Sequence, residues 1–194
     1  MLPILLASSS IYRQRQLSQL RLSFNQFSPD IDEQAAPNEK PADLAIRLAV
    51  EKARKAAQNL PDNQLIIGCD QVAECNGELL GKPGTTEKAV NQLSTCSGQT
   101  VHFHSAICLL NSQSARCQQA VETTSVEFKL LTRPQIQRYI ELEPALDCAG
   151  SFKVEGLGIS LFKSIHSDDP NSLIGLPLIR LIEMLRNEGI DPLG

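Results

Sequence analysis

The chain has 194 residues, of which 42% are hydrophobic and 21% are charged, a composition typical of soluble globular proteins. This length suits one domain, or one domain with two lobes, that buries a sizeable core. The formal net charge of −4 argues against a general nucleic-acid binder, which usually presents a basic face. The apolar run at residues 1–7 lacks a positively charged start and is too short to span a membrane. We therefore expect a cytoplasmic protein whose chain begins with a β-strand.

Residues 3–7 are the predicted first strand, which leads through Ser8-Ser9-Ser10 into an amphipathic helix. This arrangement directs unpaired backbone N–H groups and the positive end of a helix dipole beyond the strand end, where Ser8 can also donate to an anion. Arg13 lies in the first helical turn, where the dipole mildly disfavours a cation. Its position favours an anionic partner, although a plain serine cap beside a solvated arginine is an equal alternative.

An acidic turn, Asp30-Ile31-Asp32-Glu33, follows a second predicted strand at residues 22–27. Such turns are usually solvated, but one that folds toward the strand end could help to hold a divalent ion through Asp32 and Glu33. A long helix is predicted next, over residues 41–59, with proline at its first position. Lys52 falls four residues after Leu48 and therefore lies on the inward face of this helix. It can extend to the edge of that face, or reach into a cleft and meet negative charge.

The run Leu65-Ile66-Ile67 predicts a strand that is covered on both faces, as in an α/β sheet. Gly68 allows another backbone to come close, and Asp70 stands where the apolar run stops. Because ligands of open α/β sheets bind beyond the carboxyl ends of strands, Asp70 is placed to meet one. The alternative, that Asp70 only begins a turn, is the commoner role of an isolated aspartate after a strand.

The middle of the chain predicts a β-excursion, a helix and a long antiparallel hairpin. The excursion covers residues 72–80 and turns at Asn76-Gly77. The loop Gly81-Lys82-Pro83-Gly84 then presents Lys82, either to an anion or as an ordinary exposed turn. A helix over residues 86–96 is followed by hairpin strands over residues 100–110 and 115–130.

Histidine and cysteine side chains offer no convincing metal site. His102 and His104 share one strand face, and two histidines at this spacing can bind metal, but a solvated face is favoured because no third ligand is nearby. The six cysteines form no Cys-x-x-Cys pair. We expect reduced thiols without a chemical role.

The last third of the chain is predicted to contain two helices joined by a glycine-rich loop. A Thr-x-x-Gln capping box at Thr132 begins a helix that runs to about residue 143. The loop at residues 147–158 carries Lys153 and has the wrong glycine spacing for a nucleotide-fold fingerprint. A short strand at residues 159–162 and a final helix after Gly175-Leu176-Pro177 complete the prediction.

The candidate side chains together suit the cleavage of a phosphoanhydride. Cations and amides neutralise phosphate oxygens, and a carboxylate holds a divalent ion or orients water. No P-loop motif is present. The candidate anion donors are Ser8, Arg13, Lys52, Lys82 and Lys153, and the candidate carboxylates are Glu33 and Asp70.

Ordered motifs along nearly the whole chain resemble the Maf family of nucleotide pyrophosphatases. The matching pieces are Leu5-Leu6-Ala7-Ser8-Ser9-Ser10 with Arg13, Asp30-Ile31-Asp32-Glu33, Glu51-Lys52-Ala53, Gly68-Cys69-Asp70-Gln71, Gly81-Lys82-Pro83, Ala149-Gly150-Ser151-Phe152-Lys153 and Asp169-Pro170-Asn171-Ser172-Leu173-Ile174-Gly175-Leu176-Pro177. The resemblance implies a single α/β domain over residues 1–194, with a mixed twisted sheet and flanking helices in two lobes around a central cleft, similar to inosine triphosphate pyrophosphatases.

The resemblance also implies an activity and roles for the residues. The expected reaction is hydrolysis of a nucleoside triphosphate to a monophosphate and diphosphate with a divalent cation, Mg²⁺ or Mn²⁺, held by Glu33 and Asp70. Asp70 is the implied proton acceptor that activates water. Ser8, Arg13, Glu33, Lys52 and Lys82 fall on active-site positions of the family. A homodimer is expected, with no nucleic-acid or membrane partner.

Tyr12, Gln71 and Glu155 occupy the positions that separate substrate branches in this family. The branch that acts on thymidine and uridine triphosphates carries Arg, Thr and Gln there, whereas the branch that acts on 7-methylguanosine triphosphate carries Trp, Gln and Glu. The chain resembles the second branch. The methylated base is positively charged, so the Glu155 carboxylate can offset that charge and the Tyr12 ring can attract it.

Two alternatives remain open. The first is the same reaction on another canonical or modified nucleotide, such as a pyrimidine triphosphate. The second is a non-enzymatic nucleotide-binding role in the control of cell division, which members of this family have been linked to inhibiting. A binder of that kind needs no general base.

Overall fold

The computed structural model describes residues 2–60 and 63–194, which form both strands and helices. Met1, part of the apolar N-terminal run, lies outside the described residues. The strands are β1 (Ile4–Ala7), β2 (Phe24–Phe27), β3 (Leu65–Cys75), β4 (Glu78–Leu80), β5 (Thr100–Asn111), β6 (Cys117–Phe128) and β7 (Phe162–His166). The α-helices are α1 (Ile11–Ser18), α2 (Pro41–Asn59), α3 (Thr86–Cys96), α4 (Arg133–Leu142) and α5 (Leu178–Arg186). Short 3-10 turns lie at Ala149–Ser151, Leu157–Leu161 and Ser172–Ile174.

The strands form one mixed sheet in the order β2-β1-β3-β5-β6-β7, and β4 pairs with β3. Strand β1 runs parallel to both β2 and β3, in a register that places Ala7 opposite Phe27 and Gly68. The β3–β4 and β6–β7 pairs are antiparallel. The predicted α/β class with a mixed sheet and flanking helices is therefore confirmed.

Contacts divide the chain into two compact units, each built from separate segments. The first unit contains the chain up to Asp70, together with Ser105–Glu122 and Asp169–Gly194. The second contains Gln71–His104 and Thr123–Asp168. The single two-lobed domain with a central cleft stays a prediction. Across the described ranges, no helix combines the length and apolar character needed to cross a membrane.

The core of the first unit is aliphatic. Leu6 of β1 and Ile67 of β3 are fully buried and pack with residues of α5 such as Leu181. Helix α2 approaches β3 closely because Gly68 has no side chain. A Cβ atom at Gly68 would overlap the carbonyl oxygen of Ala49 and come within 2.8 Å of the Ala53 nitrogen. The expected backbone approach at Gly68 is thus made by helix α2.

The core of the second unit is partly aromatic. Phe103, Phe128, Phe152 and Phe162 form a cluster of edge-to-face pairs with ring centroids 4.7–5.9 Å apart. This is a favoured geometry for aromatic rings, because the positive edge of one ring meets the negative face of the next. The cluster joins the β5–β6 hairpin to the chain that follows Ser151.

Most predicted elements agree with the structure, but two predictions are wrong. The strand expected to end at Asp70 continues to Cys75, because Ala73–Cys75 pair with β4, so Asp70 lies in the middle of β3 and begins no turn. The strand expected at residues 159–162 is also wrong. Leu157–Leu161 is a 3-10 turn, and the strand is Phe162–His166. The amides of Gly156 and Gly158 both donate to the carbonyl of Lys153, at 3.2 and 3.1 Å. These bonds curl the chain, so pairing with β6 begins only at Phe162, which lies opposite Phe128.

Candidate active site

Asp70 and Lys52 form a buried ion pair in the first unit. Lys52 Nζ donates to Asp70 Oδ1 at 2.6 Å, and the two residues are only 7% and 8% exposed. The close approach of α2 to β3 at Gly68 brings the Lys52 stem to the strand. The predicted inward position of Lys52 is confirmed, and the negative charges that it meets are carboxylates of this chain; the predicted cleft stays a prediction.

Glu33 is the second acidic partner of Lys52. Its Oε1 atom lies 2.5 Å from Lys52 Nζ, while its side chain remains about half exposed. Burial by itself would lower the pKa of Lys52, but the charge of Asp70 and the hydrogen bonds to Asp70 and Glu33 raise it above its ordinary value. The ammonium therefore stays charged and holds both carboxylates on one cation.

Arg13 is anchored by backbone carbonyls rather than solvated. Its Nε donates to Gly175 O at 2.9 Å, and its Nη1 donates to Cys69 O at 3.0 Å and to Ser8 Oγ at 3.5 Å. Ser8 Oγ also accepts from the amide of Ser10 at 3.2 Å. Arg13 is thus bound to the carbonyl directly before Asp70. The alternative of a solvated Arg13 is wrong, and Ser8, Arg13, Glu33, Lys52 and Asp70 all belong to the first unit.

Asp169 supports this site and had no predicted role. Its Oδ1 accepts from the amide of Asn171 at 2.8 Å, and its Oδ2 accepts from the amide of Ile179, at the start of α5, at 2.7 Å. Gln16 Nε2 in turn donates to Asn171 O at 2.7 Å. These bonds fix the loop whose Gly175 carbonyl holds Arg13. The sequence did offer a signal for this role, because Asp169 precedes a Pro-Asn turn and a helix start, and aspartates at such positions often cap turns and helices.

The other predicted site residues lie as follows. Tyr12 is half-buried on α1, next to Arg13, whereas Gln71, Lys82, Lys153 and Glu155 belong to the second unit. Gln71 follows Asp70 on β3, and Lys82 is exposed in the loop after β4. Lys153 Nζ lies 3.9 Å from Asp147 Oδ1, and Glu155 is exposed. The roles of these residues in binding phosphate or in selecting the base stay predictions.

The histidine pair has hydroxyl partners across the hairpin. His102 Nδ1 lies 3.0 Å from Ser125 Oγ, and His104 Nδ1 lies 3.0 Å from Thr123 Oγ1. Within residues 2–60 and 63–194, no group of three or more His, Cys, Asp or Glu side chains could hold a metal ion.

Comparison with known proteins identifies the fold and the family. The fold resembles that of the Staphylococcus aureus Ham1 protein, with a TM-score of 0.54 and 17% identity over 96% of this chain and 99% of that chain. The family model described as Maf-like protein matches residues 3–188. The chain therefore has an α/β fold similar to that of Ham1, and it belongs to the family of Maf-like proteins.

Curated relatives share about half of their residues with this chain over nearly its full length. The 7-methyl-GTP pyrophosphatase of Idiomarina loihiensis is 51% identical over 99% of this chain and 98% of its own length. A protein of the same name from Pseudomonas putida is 53% identical, and the alignment covers 98% of both chains.

Proposed function

We propose that this protein is a nucleoside triphosphate pyrophosphatase that hydrolyses 7-methyl-GTP to 7-methyl-GMP and diphosphate, and so removes modified nucleotides. The observation that carries the proposal is the buried Asp70 carboxylate within β3, held by Lys52 and preceded by Cys69, whose carbonyl binds the Arg13 guanidinium. The names of relatives that are about half identical over nearly the full chain support the same substrate.

The reaction needs a proton acceptor and positive charge around the phosphates. In the proposed mechanism, the Asp70 carboxylate accepts a proton from the attacking water, and the bond between the α-phosphoryl group and diphosphate breaks. In this proposal, the positive charges of Lys52 and Arg13 offset the negative charge of the phosphoryl oxygens. Lys52 also holds Asp70 in place, since both side chains are buried and paired.

A divalent ion, Mg²⁺ or Mn²⁺, is part of the proposal. Glu33 and Asp70 would hold it, because both present hard carboxylate oxygens and lie close enough together to contact the same Lys52 ammonium. When bound, the ion would supply further neutralisation of phosphate charge. We expect chelation by EDTA to abolish activity and added Mg²⁺ or Mn²⁺ to restore it.

The preference for the methylated base is assigned to Tyr12, Gln71 and Glu155. The N7-methylguanine ring carries a positive charge, which a carboxylate offsets and an aromatic face attracts. Lys82 and Lys153 are proposed phosphate ligands. This assignment makes charge, rather than base size, the main basis of selection.

Steady-state kinetics on a nucleotide panel test the proposal. We expect Asp70→Asn to lower kcat/KM for 7-methyl-GTP by about a hundredfold or more, as removal of a general base does. Glu155→Gln should lower kcat/KM for 7-methyl-GTP while leaving that for GTP nearly unchanged. Diphosphate release that survives Asp70→Asn would contradict the enzymatic function and favour a binding role, such as control of cell division. Faster turnover of dTTP or UTP would assign a pyrimidine substrate.

The oligomeric state and cellular location are proposed on the family resemblance alone. We expect a homodimer, which light scattering on the purified full chain would measure directly, and a cytoplasmic protein. A monomer at all concentrations used for activity assays would contradict the first expectation without affecting the assignment of Asp70.

A further inference from the structure

Tyr139 and Glu143 hold the loop that carries Glu155. Glu143 follows the last residue of α4, and its Oε2 accepts from the Tyr139 hydroxyl at 3.3 Å and from the Gly158 amide at 3.2 Å. The Tyr139 hydroxyl accepts from the Lys153 amide at 3.1 Å. One pair of side chains on one helix therefore binds both ends of residues 153–158.

The loop also lies directly against the Glu143 carboxylate at its centre. A Cβ atom at Gly156, the residue after Glu155, would overlap Glu143 Oε1. Gly158 is equally confined, because a Cβ atom there would overlap the carbonyl oxygen of Lys153. Both glycines are needed for the close packing of this loop, which leaves Glu155 exposed.

The two anchoring residues differ in exposure: Tyr139 is buried, whereas Glu143 is half-buried. Tyr139 is 3% exposed, and burial raises the pKa of its hydroxyl well above the ordinary value. The hydroxyl therefore remains protonated and donates to Glu143 while it accepts from Lys153. Helix α4 is itself fixed at its start, where Gln135 Oε1 accepts from the Thr132 amide at 2.8 Å in the predicted capping box.

We propose that Tyr139 and Glu143 are positioning residues that set the orientation of Glu155, and with it the preference for a cationic base. This inference rests on the proposed function, in which Glu155 offsets the charge of the methylated base. In that function neither residue contacts the substrate; both act through the backbone of residues 153–158.

The test measures kcat/KM for 7-methyl-GTP and for GTP in variants of Tyr139 and Glu143. We expect Tyr139→Phe and Glu143→Ala to lower the ratio of kcat/KM for 7-methyl-GTP to that for GTP by about tenfold, the equivalent of one hydrogen bond. Glu143→Gln keeps an acceptor oxygen and should recover part of the ratio. The matched control is Glu141→Gln, an exposed acid on the same helix that pairs with Arg138 at 3.2 Å, which should leave the ratio unchanged.

Hydrogen exchange separates the anchoring from its effect on specificity. The amides of Lys153 and Gly158 should exchange faster in Tyr139→Phe and Glu143→Ala than in the wild type. Faster exchange with an unchanged ratio, or an equal loss on both nucleotides, would overturn the inference. If the wild type itself shows no preference for 7-methyl-GTP, the proposed function fails first, and the exchange data still report whether the loop is anchored.

A second observation concerns two thiols of the first unit. Cys108 Sγ on β5 lies 3.1 Å from Cys117 Sγ at the start of β6. Cys108 is buried and Cys117 is exposed. Cys75 and Cys96, in the second unit, form a comparable hydrogen-bonded pair, but both are buried. Among the described residues, the Cys108–Cys117 pair thus includes an exposed cysteine, whereas the Cys75–Cys96 pair is buried.

We infer that Cys108 and Cys117 form a reversible disulfide when the protein meets a hydroperoxide. The exposed Cys117 sulfur takes one oxygen from hydrogen peroxide and becomes a sulfenic acid, with release of water. The Cys108 sulfur then attacks it and loses its proton, and the sulfenic oxygen leaves as a second water. Two thiols are oxidised to one S–S bond, and a dithiol reductant reverses the step.

Peptide mapping under non-reducing conditions tests this assignment. After a peroxide pulse and alkylation, we expect a linked peptide pair containing Cys108 and Cys117 that dithiothreitol separates. Cys117→Ser should abolish it, whereas Cys96→Ser should leave it unchanged. Oxidation of Cys117 to a sulfinic acid while Cys108 remains open to alkylation in the denatured protein would overturn the inference.

Discussion

The Lys52 ammonium offsets the negative charges of the two acidic residues in the candidate site, Asp70 and Glu33. It contacts the buried Asp70 and the half-exposed Glu33 at 2.6 and 2.5 Å. A buried charge that loses its partner is costly, because the protein interior solvates it far less well than water does. Lys52 is therefore expected to contribute to stability as well as to the reaction.

Replacing Lys52 should destabilise the fold through Asp70. We expect Lys52→Met to lower the free energy of unfolding by about 3 kcal/mol, since it leaves the buried carboxylate unpaired. The double variant Lys52→Met with Asp70→Asn should recover much of this loss. Urea denaturation of the single and double variants measures the coupling, and additive losses would contradict the pairing.

At the scale of elements, the contact between α2 and β3 depends on small residues. Ala49 and Ala53 on the helix are fully buried and face Gly68 of the strand. This contact places Lys52, three residues after Ala49, beside Asp70 in the middle of the strand. The Lys52–Asp70 ion pair of the candidate site therefore depends on the close approach of helix α2 to strand β3.

Gly68→Ala should disrupt both the packing and the site. The added methyl group would overlap the Ala49 carbonyl oxygen, so the helix must move away from the strand. We expect a loss of about 2–3 kcal/mol in unfolding free energy and a fall in activity with it. Gly81→Ala is the matched control, because a Cβ atom there has open space around it. Equal melting temperatures for the two variants would refute this account of the packing.

At the scale of the molecule, sequence patterns predicted the elements better than the contacts between them. The apolar run before Asp70 and the inward position of Lys52 follow from local periodicity, which a single stretch of chain displays. The anchoring of Arg13 on the carbonyls of Cys69 and Gly175 does not, because it joins residues far apart in the sequence. The turn at Leu157–Leu161 was missed for a similar reason: its apolar residues suit a strand until the amides of Gly156 and Gly158 are seen to bind Lys153.

Nucleotide binding should stabilise the whole chain. We expect a non-hydrolysable analogue of 7-methyl-GTP with Mg²⁺ to raise the melting temperature, and a matching analogue of GTP to raise it less. At a free ligand concentration about a hundred times Kd, the gain in unfolding free energy is about 2.7 kcal/mol. Differential scanning fluorimetry measures the shift, and the absence of any shift with both analogues would exclude a triphosphate site.

The segmented make-up of the two units has a consequence for biosynthesis. The chain leaves the first unit after Asp70, returns at Ser105, leaves again after Glu122 and comes back at Asp169. Leu181 and Leu185, which fill the aliphatic core, belong to the last of these segments. During synthesis, the first unit therefore cannot complete its folding until the ribosome has translated α5. Until then, the apolar side chains of β1 and β3 that pack against α5 remain uncovered, and a chaperone could bind them at this stage.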